Sequence, residues 1–227
     1  MKSKSKHNLV VVAHPDDETI FFGGLILSYP QTQWHVACVT DGNADGLGAE
    51  RMKQLESACH QLGVKKVTTF KFADNYDSHL DIKKLKSQLA TLPVPAEVFT
   101  HGPLGEYGHP HHQDVCIAVN EFYQPKTQVW GPAYNCAPER VIKLTRAQYQ
   151  IKCDIFSKTY FGETERFLHF LTNTSVETFC RFDLNEIRQI YAFMNNLRTH
   201  EPLKLKKYKW LKNYLSSYRE LQTKRPF

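Results

Sequence analysis

The chain has 227 residues with 29 Lys/Arg and 23 Asp/Glu, a formal net charge of +6, and its 41% hydrophobic content is ordinary for a globular protein. No apolar run is long enough to predict a transmembrane helix, and the short run Leu9–Ala13 predicts no cleaved signal peptide, so we expect a cytoplasmic protein that starts near Met1. Six scattered cysteines without a C-x-x-C pair argue against a zinc knuckle or a thioredoxin-type redox site.

Strand-like and helix-like segments alternate through the first 135 residues. The predicted strands are Leu9–Ala13, Trp34–Thr40, Val67–Phe72, Glu97–His101 and Gln128–Tyr134. The predicted helices between them are Thr19–Ser28, Ala49–Leu62, Asp81–Leu92 and His112–Phe122. Gly63 is predicted to end the second of these helices, and Asp81 is predicted to be the N-cap of the third. Short apolar strands separated by helices predict an α/β, Rossmann-like fold, in which a mostly parallel sheet carries helices on both faces.

After about residue 140 the pattern becomes mainly helical. We predict helices over 144–161 and 184–197 and an added strand over 176–183. Because no linker interrupts the chain, we expect a single domain over 1–227, with a core and its site in 1–140 and a C-terminal extension, 141–227, packed on it. The basic excess lies in 200–227, which holds eight Lys/Arg and two Glu. That segment favours a solvated helix face or a weak contact with polyanions or anionic lipid.

A histidine and three carboxylates, HPDDE at residues 14–18, directly follow the first predicted strand. Imidazole nitrogen and carboxylate oxygen are ordinary ligands for zinc and other divalent ions, and a neighbouring carboxylate can remain free as a base. A solvated turn that begins a helix would also use acidic residues, but it does not explain the histidine after a buried strand. The segment therefore predicts part of a metal site.

A second polar segment, FTHGPLGEYGHPHHQDV at residues 99–115, follows the fourth predicted strand. It contributes His101, His109, His111 and His112, so that these two segments hold five of the eleven histidines. Ligands bind at the carboxyl ends of the strands in this fold class. The two segments are therefore expected to meet and to complete the metal site.

The paired motifs AHPDDE (13–18) and EYGHPHH (106–112) resemble the PIG-L/LmbE-like zinc-dependent de-N-acetylases, and the likeness covers roughly residues 8–120. The resemblance implies a hydrolase that removes an N-acetyl or similar acyl group from an amino-sugar conjugate. It implies that His14, Asp17 and His112 bind Zn²⁺, although Fe²⁺, Mn²⁺ or Co²⁺ also suits these ligands. The implied partner is a small N-acetylated sugar conjugate, with no specific nucleic acid.

The same resemblance implies further roles, position by position. Asp16 corresponds to the general base that deprotonates the metal-bound water, and Tyr107 to a tyrosine that polarises the amide carbonyl. His109 corresponds to the residue that stabilises the oxyanion and protonates the leaving amine. Arg51 and Asp74 correspond to residues that hold sugar hydroxyls.

The sequence departs from the family pattern at His111, because an aspartate is common between the two outer histidines of that motif. The exchange removes a carboxylate that would raise the proton affinity of its neighbours, so the acid-catalyst behaviour and the pH optimum stay open.

One alternative is a non-catalytic nucleotide- or polyanion-binding Rossmann-like module. A dinucleotide site would need a Gly-rich turn after the first strand, where HPDDE stands, and DGNADGLG after the second strand does not form G-x-G-x-x-G. A polyanion-binding module would depend on the basic tail alone, since the remaining chain is charge-balanced. The sugar, its aglycone, the acyl group, the metal in the cell and the oligomeric state are left open by the sequence.

Overall fold

The computed structural model describes residues 7–75, 78–163, 173–195 and 204–212. Within these residues seven strands form one sheet: β1 (His7–Val12), β2 (Gln33–Thr40), β3 (Lys66–Phe72), β4 (Glu97–Thr100), β5 (Gln128–Pro132), β6 (Arg140–Lys143) and β7 (Val176–Cys180). Their order across the sheet is β3-β2-β1-β4-β5-β7-β6.

The first five strands are parallel, which confirms the predicted α/β, Rossmann-like class. In β1, the residues from Leu9 to Val12 are fully buried, as expected for a strand that is covered on both faces. The strand order reverses at β1, which lies between β2 and β4. The carboxyl ends of β1 and β4 therefore border the crevice where this fold class binds ligands.

The described helices are α1 (Asp17–Ser28), α2 (Gly48–Leu62), α3 (Ile82–Leu89), the single turn α4 (Gly105–Gly108), α5 (Pro110–Tyr123), α6 (Arg146–Asp154) and α7 (Leu184–Met194). The predicted N-cap Asp81 accepts a hydrogen bond from the Lys84 backbone N–H at 3.0 Å, and Gly63 ends α2 in the left-handed conformation, with φ of 82°. Helices α1 and α5 begin two residues earlier than predicted, so the last residues of each polar motif form the first turn of a helix.

The segment after residue 140 adds two antiparallel strands to the sheet beyond β5. Strand β7 was predicted, whereas β6 was missed because its four residues are too few to show an alternating pattern. The helix predicted over 144–161 consists of α6 followed by a π-helical turn, Ile155–Thr159. The last residues of the helix predicted over 184–197 lie outside the described residues.

A buried ion pair fastens this later segment to α1. Lys152 Nζ donates to Glu177 Oε1 at 2.7 Å and to the Ile20 carbonyl at 3.0 Å. The Glu177 carboxylate also accepts from the backbone N–H groups of Gly24, at 2.7 Å, and Leu25, at 2.8 Å. Since α1 begins at the HPDDE motif, this pair holds in place the helix on which that motif stands.

Among the described helices, none is both long and apolar enough to cross a membrane. Of the basic tail, only 204–212 is described; there Leu205, Tyr208 and Leu211 pack into a small apolar cluster. Lys206 and Lys207 form ion pairs with acidic side chains, each at 2.6 Å. The solvated helix face is not seen in this part of the tail, since residues 204–210 form bends, turns and irregular backbone and Trp210 is exposed.

Candidate metal centre

The turn between β1 and α1 presents the side chains of the HPDDE motif at the crevice. Asp17 Oδ2 accepts a hydrogen bond from the His14 backbone N–H at 2.8 Å, so the two side chains are held together locally. Asp16, between them, has φ of 108°, a conformation that a residue with a side chain adopts at a cost of roughly 1–3 kcal/mol. Glu18 supports the turn by accepting from the Asp16 N–H at 3.0 Å and from the Tyr160 hydroxyl at 2.9 Å.

The first turn of α5 presents the second group of histidines. His109 is the N-cap and its Nδ1 accepts from the His111 backbone N–H at 3.2 Å, while Pro110 occupies the first helical position. His111 and His112 follow in the first turn, and both are fully buried. The helix start therefore places all three imidazoles against the end of β1.

Three donor atoms from the two motifs form a nearly equilateral triangle. His14 Nδ1 and His112 Nε2 are each 3.4 Å from Asp17 Oδ2, and they are 3.3 Å from each other. Zinc bonds of about 2.0–2.2 Å in tetrahedral geometry place ligand atoms roughly 3.3–3.6 Å apart. The donor set predicted from the sequence is thus brought together, and its spacing fits a divalent metal ion.

Glu106 fixes the orientation of His112. Its Oε2 accepts from His112 Nδ1–H at 2.6 Å and from His101 Nδ1–H at 2.9 Å, while Oε1 accepts from the Gly102 N–H at 2.7 Å. With the proton on Nδ1, the lone pair of His112 Nε2 points into the triangle. His101 Nε2 instead accepts from the Ala13 N–H at 3.0 Å, so its lone pair is already used. Burial opposes ionisation of Glu106, but His101 outweighs it and lowers the pKa of Glu106 to about 2.

The sequence assigned no role to Glu106 or His101. Both were visible in the second motif, Glu106 as the acidic residue six positions before His112. Both residues could have been noticed in the sequence, but their spacing does not indicate that one carboxylate accepts hydrogen bonds from two imidazoles.

His111 orients the outer nitrogen of His14. His111 Nε2 lies 3.0 Å from the Ser78 carbonyl oxygen, which only accepts, so that nitrogen carries the proton. His111 Nδ1 therefore accepts from His14 Nε2–H at 3.1 Å. This leaves the lone pair of His14 Nδ1 directed at the triangle when a cation binds there. The His111 imidazole thus orients the candidate ligand His14, a role that a carboxylate often has.

The charges around the triangle favour a cation. Burial alone would lower the pKa of His14, but Asp17 and Asp74 outweigh it and raise that pKa to about 10. Burial would raise the pKa of Asp17, yet His112 and His101 hold it well below its usual value. Burial lowers the pKa of His112 to about 4. The metal-free chain therefore carries a proton on His14 where a divalent ion would sit.

Asp16 points toward Arg51 instead of into the triangle. Arg51 Nη2 donates to Asp16 Oδ2 at 3.1 Å and to the Pro15 carbonyl at 2.9 Å. Burial raises the pKa of Asp16 well above its usual value, although Arg51 opposes this. Arg51 Nη1 also lies 3.7 Å from Asp74 Oδ2, and Arg51 Nε lies 3.5 Å from Glu163 Oε1. The predicted sugar contacts of Arg51 and Asp74 stay predictions, since both side chains here contact other protein groups.

Tyr107 and His109 border the triangle on its open side. The Tyr107 side chain is 57% exposed, and its ring centroid is 6.0 Å from that of His109 and 5.2 Å from that of His112. The His109 ring stacks on His112 with centroids 4.9 Å apart. Burial and the neighbouring imidazoles lower the pKa of His109, and its N-cap bond places the single proton on Nε2. His109 is therefore a neutral hydrogen-bond donor beside the candidate metal centre.

A pocket of about 150 Å³ adjoins Arg51. Its lining residues are Asp45, Leu47, Glu50, Arg51, Gln54, Gly162 and Glu163, five of which have polar or charged side chains. Because Arg51 also donates to Asp16, this residue links the pocket to the candidate base.

Comparison with known proteins agrees with this geometry. The sequence model of the family described as "PIG-L: GlcNAc-PI de-N-acetylase" matches residues 9–123, which is half of the chain and contains every residue of the candidate metal centre.

Among curated relatives, the N-acetylglucosaminyl-phosphatidylinositol de-N-acetylase of Saccharomyces cerevisiae is 31% identical over 138 residues, covering 52% of this chain and 45% of the relative. The 1D-myo-inositol 2-acetamido-2-deoxy-alpha-D-glucopyranoside deacetylase of Salinispora arenicola is 27% identical over 176 residues, covering 60% of this chain and 57% of the relative. The chain spans about half the length of the curated relatives it matches.

Among solved structures, N,N'-diacetylchitobiose deacetylase from Pyrococcus horikoshii superposes with a TM-score of 0.58 and 20% identity, covering 79% of this chain and 85% of that one. At this identity the likeness shows the shared α/β fold.

Proposed function

Since the chain belongs to the PIG-L family of de-N-acetylases, we propose that it is a metal-dependent hydrolase that removes the N-acetyl group from an amino-sugar conjugate. The observation that carries this proposal is the triangle of His14 Nδ1, Asp17 Oδ2 and His112 Nε2, with sides of 3.3–3.4 Å and with Asp16 beside it. The non-catalytic alternative is not favoured, because the HPDDE turn occupies the place after β1 that a dinucleotide-binding turn would need.

We propose Zn²⁺ as the ion, although Fe²⁺, Mn²⁺ or Co²⁺ suits the same His, Asp and His ligands. When bound, such an ion lowers the pKa of a water molecule and polarises the acetyl carbonyl. Two observations support this assignment: the ligand atoms themselves and the hydrogen bonds that orient the ligand side chains. Glu106 orients His112 and His111 orients His14, and such partners raise metal affinity by fixing each ring and its proton.

Asp16 is the proposed general base. Its carboxylate lies next to Asp17 yet is held by Arg51 Nη2 at 3.1 Å, so it stays outside the metal triangle and can take a proton from the attacking water. Burial raises its pKa, which improves its match to a working pH near neutrality. The backbone strain at Asp16 is the cost of presenting this side chain at the end of β1.

His109 and Tyr107 are the proposed donors to the oxyanion that forms at the acetyl carbonyl. His109 carries its proton on Nε2, so it can donate one hydrogen bond while it remains neutral. A neutral imidazole with one proton has none to spare for the leaving amine. We therefore propose that Asp16, having taken a proton from water, returns it to the amine nitrogen. The family resemblance instead assigns delivery of that proton to His109. The two assignments differ only in which residue protonates the leaving amine.

For the substrate we propose an N-acetylglucosamine unit joined to inositol, the unit that the names of both curated relatives contain. Arg51, Asp74 and the charged side chains that line the pocket beside Arg51 are the proposed contacts of its hydroxyl groups. The predicted cytoplasmic location and the weak anionic contact of the basic tail stay predictions.

The test is acetate release from three substrates: N-acetylglucosaminyl-inositol, the same headgroup as a phosphatidylinositol in vesicles, and diacetylchitobiose. We expect hydrolysis of the first two, loss of activity on metal removal, and recovery on adding Zn²⁺. Asp16→Asn should lower the rate by roughly 10²–10⁴-fold while its metal content stays unchanged. Asp154→Asn, on the exposed face of α6, is the matched control. Full activity in the metal-free protein or in the Asp16 variant would refute the proposal.

A further inference from the structure

The nitrogen of His14 that faces away from the first triangle lies in a second cluster of donor atoms. His14 Nε2 is 3.1 Å from His111 Nδ1 and 3.5 Å from Asp74 Oδ1, and these two partner atoms are 3.5 Å apart. All three side chains are buried. A point about 2 Å from all three atoms exists inside this triangle, close to the zinc bond lengths of about 2.0–2.2 Å.

Two of the three residues in this second triangle are held by further hydrogen bonds, His111 through its ring and Asp74 through its backbone. The His111 Nε2–H donates to the Ser78 carbonyl at 3.0 Å, which directs the lone pair of Nδ1 toward His14 and Asp74. The Asp74 backbone N–H donates to Asp41 Oδ1 at 3.1 Å. Supporting contacts of this kind hold ligand side chains in place before an ion arrives.

We propose that His14, Asp74 and His111 form a second divalent-cation site that shares the His14 ring with the first. The ion takes the place of the proton on His14 Nε2, and that proton leaves to solvent. The ring then carries one ion at each nitrogen. Two imidazole nitrogens and one carboxylate oxygen are an ordinary ligand set for Zn²⁺, and they leave a fourth position for water.

The second site binds more weakly than the first. Its ion must displace the second proton of the His14 ring, is repelled by the first ion through the shared ring, and lies near the Arg51 guanidinium, whose Nη1 is 3.7 Å from Asp74 Oδ2. The two sites therefore fill in order as the zinc concentration rises. Since Asp74 is also a proposed sugar contact, filling the second site lowers deacetylation, which makes excess zinc an inhibitor.

The experiment counts ions. Metal-depleted full-length protein is equilibrated with buffered Zn²⁺ over a range of free concentrations, and bound zinc is measured by atomic emission. We expect two ions per wild-type chain. His111→Asn and Asp74→Asn should each bind one, and His112→Asn should also bind one, at the second site. Asparagine at 111 keeps an acceptor for His14 Nε2–H, which preserves the local hydrogen bonding.

His35→Asn, which removes a buried imidazole from β2, is the matched control and should keep both ions. Anomalous scattering at the zinc edge should place the second ion about 2.0–2.2 Å from His14 Nε2, Asp74 Oδ1 and His111 Nδ1. Saturation of the wild type at one ion, or two ions in folded His111→Asn, overturns the proposal. If His111→Asn fails to fold, the count for Asp74→Asn decides instead. Two ions without any deacetylation would contradict only the proposed function.

Discussion

Replacing Glu106 with glutamine tests whether one buried carboxylate orients the candidate metal centre. In the native chain Glu106 accepts three hydrogen bonds, from His112 Nδ1, His101 Nδ1 and the Gly102 N–H, at 2.6, 2.9 and 2.7 Å. A glutamine oxygen can still accept from both imidazoles. Its amide NH₂ then faces the Gly102 N–H, so that two donors meet and one buried N–H loses its partner.

Two magnitudes follow from this geometry. A buried donor left without an acceptor costs about 1–3 kcal/mol, so the free energy of unfolding of metal-free Glu106→Gln should fall by that amount. A neutral amide also holds His112 less firmly than a carboxylate does. Loss of such an orienting partner typically weakens metal binding about 10–100-fold, or roughly 1.4–2.8 kcal/mol. Because the pKa of Glu106 is lowered to about 2, the native residue is ionised throughout any practical assay range.

Urea unfolding of the metal-free protein measures the first effect, and competition with a chromophoric chelator measures the second. Glu56→Gln, on the exposed face of α2, controls for the loss of one carboxylate and should leave both quantities unchanged. Native zinc affinity together with a native unfolding midpoint in Glu106→Gln would show that the carboxylate does not orient His112.

Two further predictions concern other parts of the chain. Lys152→Met leaves the buried Glu177 carboxylate without its cation and should lower the free energy of unfolding by roughly 3–5 kcal/mol in urea titrations. Lys158→Met, in an exposed pair, should leave the curve unchanged, and equal curves for the two variants would refute the reasoning. Tyr107→Phe should lower kcat about 10²–10³-fold with an unchanged Tm, since the side chain is 57% exposed; an unchanged kcat would remove Tyr107 from the proposed oxyanion donors.

Much of the fold was readable because it depends on local patterns. Short apolar runs alternating with amphipathic segments predicted all five parallel strands and four of the five helices between them, but not the single turn α4. Two local predictions at helix ends were also confirmed: Gly63 ends α2, and Asp81 is the N-cap of α3. The edge strand β6 was missed, because its identity as a strand comes from pairing with β7 across 33 or more residues of chain and not from its own four residues.

The candidate site shows the same division. Strand ends in a parallel sheet must meet at one edge, so the two motifs were enough to predict that His14, Asp17 and the histidines near residue 112 converge. The contacts that hold these side chains come from the folded chain: Glu106 on His112, His111 on His14, and Arg51 on Asp16. Those contacts join residues up to 97 positions apart, and each depends on how the two side chains are oriented. Residue spacing along the chain does not indicate how these side chains are oriented, because packing sets their orientation after the strands and helices have formed.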